Sequence, residues 1–148
     1  MRIISPDTLA RIGERIILIG GETQAVESWR CTGNFVGLRQ SRENLAASEA
    51  DYEKAMSELD PDQRAWVEDL FETPLKLARA GKDGYNEGVF MAQIKWADDQ
   101  VRELEAVTTE LKDARSKWVK AAMFYDIPAY RIAKLCDRTP STVQRWVK

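Results

Sequence analysis

The sequence predicts an all-α protein, in which a helical hairpin or bundle precedes a long helix that leads into a C-terminal group of three helices. Apolar residues recur at steps of three and four, and period-two alternation is almost absent. A capping residue followed by proline, which favours the start of a helix, occurs at Ser5-Pro6, Asp60-Pro61 and Thr139-Pro140. With 148 residues, 44% of them hydrophobic, the chain can bury a core without a metal or disulfide.

The first helix is predicted to begin at Ser5-Pro6 and to end at Gly20-Gly21. A short second helix is expected from Glu22 to Cys31, followed by a break at Thr32-Gly33-Asn34. The buried face of the first helix is marked by Leu9, Ile12, Ile16 and Ile19.

A helix from about residue 35 to 59 is predicted to form half of a hairpin, with Leu38, Leu45, Tyr52, Met56 and Leu59 on its apolar side. The partner helix starts at Asp60-Pro61, and its facing stripe consists of Ala65, Trp66, Leu70 and Phe71. Thr73-Pro74 kinks or restarts that helix, and the segment from Gly81 to Gly84 ends it.

A long helix is predicted from about Asn86. Its apolar residues follow a coiled-coil-like spacing: Phe90, Ile94, Ala97, Val101, Leu104, Val107, Leu111, Ala114, Trp118, Ala121 and Tyr125. The favoured interpretation packs this stripe on the two preceding helices of the same monomer. The alternative pairs it with a second copy of the chain, and the spacing does not separate the two.

The last part of the chain is predicted to form two short helices on a tight turn. The long helix stops at Ile127-Pro128, a short helix runs to about Cys136, and a final helix starts with Thr139 as its cap and Pro140 at its first position. The apolar positions that would pack on residues 118–125 are Ile132, Ala133, Leu135, Val143, Trp146 and Val147.

Residues 132–147 resemble the helix-turn-helix of phage repressors, recombinase DNA-binding domains and promoter-reading sigma regions. The shared features are the pair Ile132-Ala133 and the stretch from Ser141 to Trp146, Ser-Thr-Val-Gln-Arg-Trp. The chain departs from that pattern at Asp137, where glycine is usual, and at Arg138, where an apolar residue is frequent. Aspartate tolerates the left-handed backbone conformation better than most residues, so the turn is expected to survive. The resemblance implies binding to double-stranded DNA.

Candidate contact residues follow from the face that the last helix leaves exposed. If Val143, Trp146 and Val147 are buried, hydroxyl, amide and guanidinium groups point outward, and these groups can read base edges. The predicted base-reading residues are Ser141, Thr142, Gln144 and Arg145. The predicted phosphate contacts are Arg131, Lys134, Arg138, Thr139 and Lys148.

The charge distribution favours the same partner. Residues 112–148 hold nine Lys or Arg and three acidic residues, a net charge of +6, whereas the other 111 residues carry a net charge of −8. The overall charge of −2 conceals this division. A basic segment gains affinity for DNA by releasing counterions. We therefore divide the chain into an acidic helical or coiled-coil region, 1–111, for oligomerisation or partner binding, and a basic DNA-binding module, 112–148.

Enzymatic chemistry is not expected. The chain has no histidine, which excludes Ser-His-Asp and Cys-His pairs and histidine-bound metals. Cys31 and Cys136 form no C-x-x-C motif, and two thiols cannot supply the four ligands of a structural zinc site, so no metal or other cofactor is predicted. The two cysteines are expected to be reduced and buried, with a disulfide as the minority alternative. The acidic residues Asp98, Asp99, Glu103 and Glu105 lie on the predicted solvent side of the long helix.

The function predicted from the sequence is that of a small bacterial or phage transcriptional regulator, binding DNA as a homodimer or higher oligomer. The alternatives are a DNA-recognition subunit of a phage packaging or recombination assembly, and a helical scaffold that binds a protein partner through its acidic region.

No secretory signal or membrane span is visible, since the longest apolar run is Ile16–Ile19. A cytoplasmic location, in a bacterial or phage-infected cell, is expected. A second DNA-reading unit in the first 30 residues is disfavoured against a core-forming helical pair, because Glu22 and Glu27 would face phosphate.

Overall fold

The computed structural model describes residues 4–148, and all regular secondary structure in that range is α-helical, which confirms the predicted all-α class. The helices are α1 (Pro6–Thr32), α2 (Phe35–Ser57), α3 (Pro61–Leu70), α4 (Glu72–Arg79), α5 (Tyr85–Phe124), α6 (Ala129–Cys136) and α7 (Pro140–Trp146). In the same range, none of the helices combines the length and hydrophobicity required of a bilayer-spanning segment.

The chain divides into two compact units. The first ends at Ala97 and the second runs from Asp98 to Lys148, so that α5 contributes residues to both. The boundary drawn from charge, between residues 111 and 112, lies inside the second unit.

The core of the first unit is built from one face of each of its helices. Leu9, Ile12, Ile16 and Ile19 of α1 are fully buried, as the spacing of these residues predicts. Against them pack Tyr52 and Met56 of α2, Val67 of α3, Phe71, Ala78 of α4, and Tyr85, Val89 and Trp96 of α5.

The predicted end of the first helix at Gly20-Gly21 is wrong, because α1 continues through both glycines to Thr32. A β-carbon at Gly20 would lie 2.5 Å from Cε2 of Tyr85, so this glycine permits close packing of an aromatic ring and does not end the helix. The helix ends where Gly33 adopts a left-handed conformation (φ 74°). A separate helix from Glu22 to Cys31 is therefore absent, as is any two-helix unit within the first 30 residues.

The predicted helix start at Asp60-Pro61 is confirmed, but the predicted hairpin has a different partner. Asp60 Oδ1 accepts a hydrogen bond from Gln63 N at 2.8 Å, and Gln63 Oε1 accepts one from Asp60 N at 3.3 Å, which completes a capping box. However, α2 packs most extensively on α1 and not on α3. In α3 the buried residue is Val67, whereas Ala65, assigned to the facing stripe, is exposed.

The second unit contains a small core of its own between the end of α5 and the two short helices. Val119, Ala133 and Val143 are buried, and Met123, Ala129, Ile132, Trp146 and Val147 pack around them. The predicted packing of Trp118, Tyr125 and Leu135 is wrong, because all three side chains are exposed. On α5, Val119 faces the core in place of its neighbour Trp118. The helix α5 ends at Phe124, three residues before the predicted stop, and Asp126 then adopts a left-handed conformation (φ 68°).

The apolar stripe of α5 is exposed to solvent, so the favoured interpretation, packing on the two preceding helices, is wrong. In the first unit, α5 buries Tyr85, Val89 and Trp96, whereas Phe90 and Ile94 remain exposed. At 100° per residue, the stripe lies roughly 130° around the helix from this buried face. In the second unit, every residue from 101 to 113 is exposed.

The two cysteines are free, and the prediction that they are buried is wrong because both are exposed. Cys31 lies in the last turn of α1, beyond the core residues of that helix, and Cys136 is the last residue of α6.

Candidate nucleic-acid interface

The orientation of α7 is determined by its buried residues and its first-turn cap. Val143 is fully buried in the core of the second unit, and Trp146 is half-buried beside it. Thr139 precedes the helix, and its Oγ1 accepts a hydrogen bond from Thr142 N at 3.3 Å. Because Val143 and Trp146 face the core, Ser141, Gln144 and Arg145 on the other side of the helix are exposed.

The turn between α6 and α7 depends on a left-handed residue at the predicted position. Asp137 has φ 54° and ψ 48°, and Arg138 N donates a hydrogen bond to Ala133 O at 2.8 Å. This hydrogen bond closes the end of α6 as in a glycine-terminated helix. Aspartate thus occupies the conformation that glycine would supply, and residues 137–139 connect the two helices.

The structure brings the four predicted base-reading residues onto one short helix, but it places Thr142 differently from the other three. Thr142 is half-buried, and its Oγ1 accepts a hydrogen bond from Arg145 Nη2 at 3.1 Å. The same oxygen lies 3.0 Å from Oγ1 of Thr139. Thr142 therefore positions the Arg145 guanidinium instead of offering a free hydroxyl.

Four of the five predicted phosphate-contacting residues are exposed cations. Arg131 and Lys134 lie on α6, Arg138 lies in the turn, and Lys148 follows α7. Within residues 4–148, none of these four cations forms an ion pair with a carboxylate, so their charges are available to an anionic partner. The fifth residue, Thr139, is exposed, but its hydroxyl is engaged in the cap of α7.

Arg115 of α5 is a residue of this unit that the sequence reasoning missed. Its guanidinium carbon lies 4.1 Å from the centre of the Trp146 ring, a cation–π distance, and its Nε is buried without a hydrogen-bond partner. The contact connects α5 to the end of α7 and so supports the orientation of the helix. Because the two residues are far apart in the sequence, no local pattern indicates the pairing.

Leu135 does not contribute to the core but lines an open groove between α5 and α6. The groove has a volume of about 500 Å³, and apolar side chains including Trp118 and Ile132 form most of its wall, with Arg115 and Arg131 beside them.

No group of three or more Cys, Asp or Glu side chains able to hold a metal ion is present in the described part of the chain.

The described architecture places the chain among all-α proteins with a small basic unit at the end of a long helix. Comparison with known proteins adds no closer relationship, because no protein-family model, curated protein or solved structure matches the chain. The residues of α6 and α7 therefore provide the main indication of function.

Proposed function

We propose that this chain binds double-stranded DNA in a sequence-specific manner through α7 and acts as a small transcriptional regulator of bacterial or phage type. The observation that carries the proposal is the division of α7 into two faces. Val143 and Trp146 face the core, whereas Ser141, Gln144 and Arg145 face solvent. Two short helices on a tight turn, of which the second presents polar side chains, fit the helix-turn-helix that the sequence resembles.

The exposed side chains have the chemistry required for base recognition in the major groove. Gln144 offers an amide that can pair with adenine through two hydrogen bonds, and Arg145 offers a guanidinium that can pair in the same way with guanine. Arg145 is already held by Thr142, which lowers the entropic cost of presenting it to a base.

The surrounding cations supply the contacts that do not depend on sequence. Arg131, Lys134 and Arg138 are exposed on α6 and in the turn, where they can bind phosphates on either side of the groove. The net charge of +6 over residues 112–148 favours DNA, and the net charge of −8 on the rest of the chain disfavours nonspecific wrapping. One such module reads a short site, so binding as a dimer to paired half-sites is part of the proposal.

The proposal is tested by selecting bound duplexes from a random pool at low salt and measuring affinity for the selected site by fluorescence anisotropy. Arg145→Ala should lose discrimination at one base pair, by about 1–3 kcal/mol. Lys134→Ala should weaken all duplexes about equally and reduce the salt slope by roughly one unit. Lys54→Ala, which removes an exposed lysine from the acidic region, is the matched control and should change neither quantity.

Failure to bind any duplex at low salt would contradict the proposal, and equal effects of Arg145→Ala and Lys134→Ala would contradict the assigned roles. Retention on heparin that does not respond to salt would favour the protein-interaction scaffold. DNA binding by a ring of many subunits would favour the packaging or recombination alternative.

A further inference from the structure

In the described part of the chain, residues 4–148, the segment of α5 that precedes the core of the second unit is exposed. Residues 101–113 are all exposed, and the apolar side chains Val101, Leu104, Val107 and Leu111 are between 39% and 61% exposed. These four residues lie in the second unit, ahead of the core residue Val119.

A helix in this situation receives little stabilisation from its own residues. Most helical stability in proteins comes from packing an amphipathic face against a neighbour. The ion pair between Arg102 and Asp98, 3.0 Å apart, is highly exposed, and such pairs contribute little. The β-branched Thr108 and Thr109 lower the helix propensity further. The segment therefore requires a partner that covers its apolar side.

The residue types on that side fit a two-stranded coiled coil. In one uninterrupted heptad register, the first core position, a, holds Ile94, Val101 and Thr108, and the second, d, holds Phe90, Ala97, Leu104 and Leu111. All three a residues are β-branched, and two of the d residues are leucine, a combination that favours parallel dimers over larger assemblies.

We infer that a second copy of this chain covers this face, and that the two α5 helices form a parallel, in-register coiled coil over residues 90–111. The exposed apolar residues in this range are Phe90, Met91, Ile94, Val101, Leu104, Val107 and Leu111. Facing a second copy, they would bury on the order of 1,000 Å² in total, which is about the lower bound for a biological interface.

The residues that flank the core positions are compatible with this orientation. In a parallel pair, position g of one helix faces position e of the next heptad in the other. The resulting pairs are Gln93 with Asp98, Gln100 with Glu105, and Val107 with Lys112 of the second copy, and none joins like charges. An antiparallel pair that matched Val101 with Leu111 would instead place Glu105 beside Glu105 of the second copy.

The parallel orientation has a consequence for DNA binding that rests on the proposed function. The helices α6 and α7 follow the C-terminal end of α5, so a parallel coiled coil carries both copies of these two helices at the same end. Two recognition helices related by a two-fold axis could then bind two half-sites of one duplex.

The oligomeric state of the full chain without DNA tests the inference. Sedimentation equilibrium should give twice the chain mass of 16.9 kDa at micromolar concentrations. The double variant Leu104→Asp, Leu111→Asp should be monomeric, because it places carboxylates at two core positions. The control Ala106→Asp, Thr109→Asp adds the same charges on the outer side of the helix and should remain dimeric.

Orientation is tested separately by oxidative cross-linking. In a background with Cys31→Ser and Cys136→Ser, Leu111→Cys should form a disulfide between two copies, because a parallel register brings the two d positions within disulfide range. In the antiparallel pair described above, the two introduced cysteines would lie roughly 15 Å apart along the helix axis, which is too far for a disulfide.

A wild-type monomer, a larger assembly, a dimer that survives the double Asp substitution or a lack of cross-linking would each overturn the inference. Because the mass measurement contains no DNA, a monomer that binds DNA would refute the coiled coil alone. A dimer that binds no duplex would refute the proposed function alone.

Discussion

Arg145 Nη2 donates a hydrogen bond to Thr142 Oγ1 at 3.1 Å, one turn back along α7. Thr142 Oγ1 also lies 3.0 Å from Thr139 Oγ1, so the three side chains form a connected row at the start of the helix. The row links the cap of α7, at Thr139, to Arg145, the residue proposed to pair with guanine. Two of the residues assigned to DNA contact, Thr139 and Thr142, therefore act on Arg145 through hydrogen bonds within the chain.

The first prediction concerns this row. Thr142→Val keeps the shape of the side chain but removes the hydroxyl, so Arg145 should discriminate its base pair less well, by about 3- to 10-fold, the value of one hydrogen bond. The ratio of affinities for the selected site and for a site altered at that base pair measures the effect. Thr142→Ser retains the hydroxyl and should restore the ratio. Equal ratios for the two variants would show that the hydrogen bond does not position Arg145.

The second prediction uses the adjacent glycines of α1. Gly20→Ala places a β-carbon against the buried Tyr85 ring and should lower the free energy of unfolding by about 1–3 kcal/mol, as overpacked cores do. Among the described residues, no atom from outside the surrounding helical turns lies within 4 Å of a β-carbon at Gly21, so Gly21→Ala should raise the free energy of unfolding by about 0.5–1 kcal/mol. Urea denaturation measures both. Changes of the same sign would contradict the assigned packing.

The third prediction concerns alkaline pH. Burial raises the pKa of Tyr52 above its ordinary value of 10.0, and the Arg79 guanidinium, 5.7 Å from the ring centre, opposes the shift only in part. Above pH 10, Tyr52 ionises more readily in the unfolded chain than in the folded one, so the folded state loses stability as pH rises through the folded pKa.

Tyr52→Phe should remove this part of the alkaline loss. The measurement is the free energy of unfolding in urea between about pH 8 and pH 11. In the wild type this free energy falls with pH because Tyr52 ionises more readily in the unfolded chain, whereas phenylalanine has no proton to lose. Tyr130→Phe, at an exposed position, is the control and should retain the wild-type pH dependence. A Tyr52→Phe profile parallel to that of the wild type would contradict the prediction.

The fourth prediction concerns the turn between α6 and α7. Asp137 is held at φ 54°, a conformation that is unfavourable for residues with a β-carbon. Asp137→Gly should stabilise the second unit by up to about 1 kcal/mol, whereas Asp137→Asn, which removes only the charge, should change its stability much less. Hydrogen exchange of the amides in α6 and α7 measures the difference. Equal protection in the two variants would show that the backbone conformation carries no strain.

The features that sequence reasoning predicted correctly depend on neighbouring residues. The starts of α3 and α7 were predictable because Asp60 and Thr139 cap residues three positions ahead. The left-handed turn at Asp137 was predictable because aspartate tolerates that conformation better than most residues do. The helical class follows from apolar spacing within each segment. These are short-range interactions, and the residues that make them are adjacent in the printed chain.

The features that sequence reasoning predicted wrongly depend on residues that are distant from one another in the sequence. Gly20 lies inside a continuous helix, where the absence of a β-carbon allows the ring of Tyr85, a residue of α5, to pack closely on it. The orientation of α5 in the core of the second unit determined that Val119 is buried and Trp118 is exposed, although both are apolar and adjacent. By itself the sequence determined the helical class, the caps at Asp60 and Thr139 and the division of charge. Only the tertiary structure decided which face of each helix is buried, because burial depends on the side chains that meet it from elsewhere in the chain.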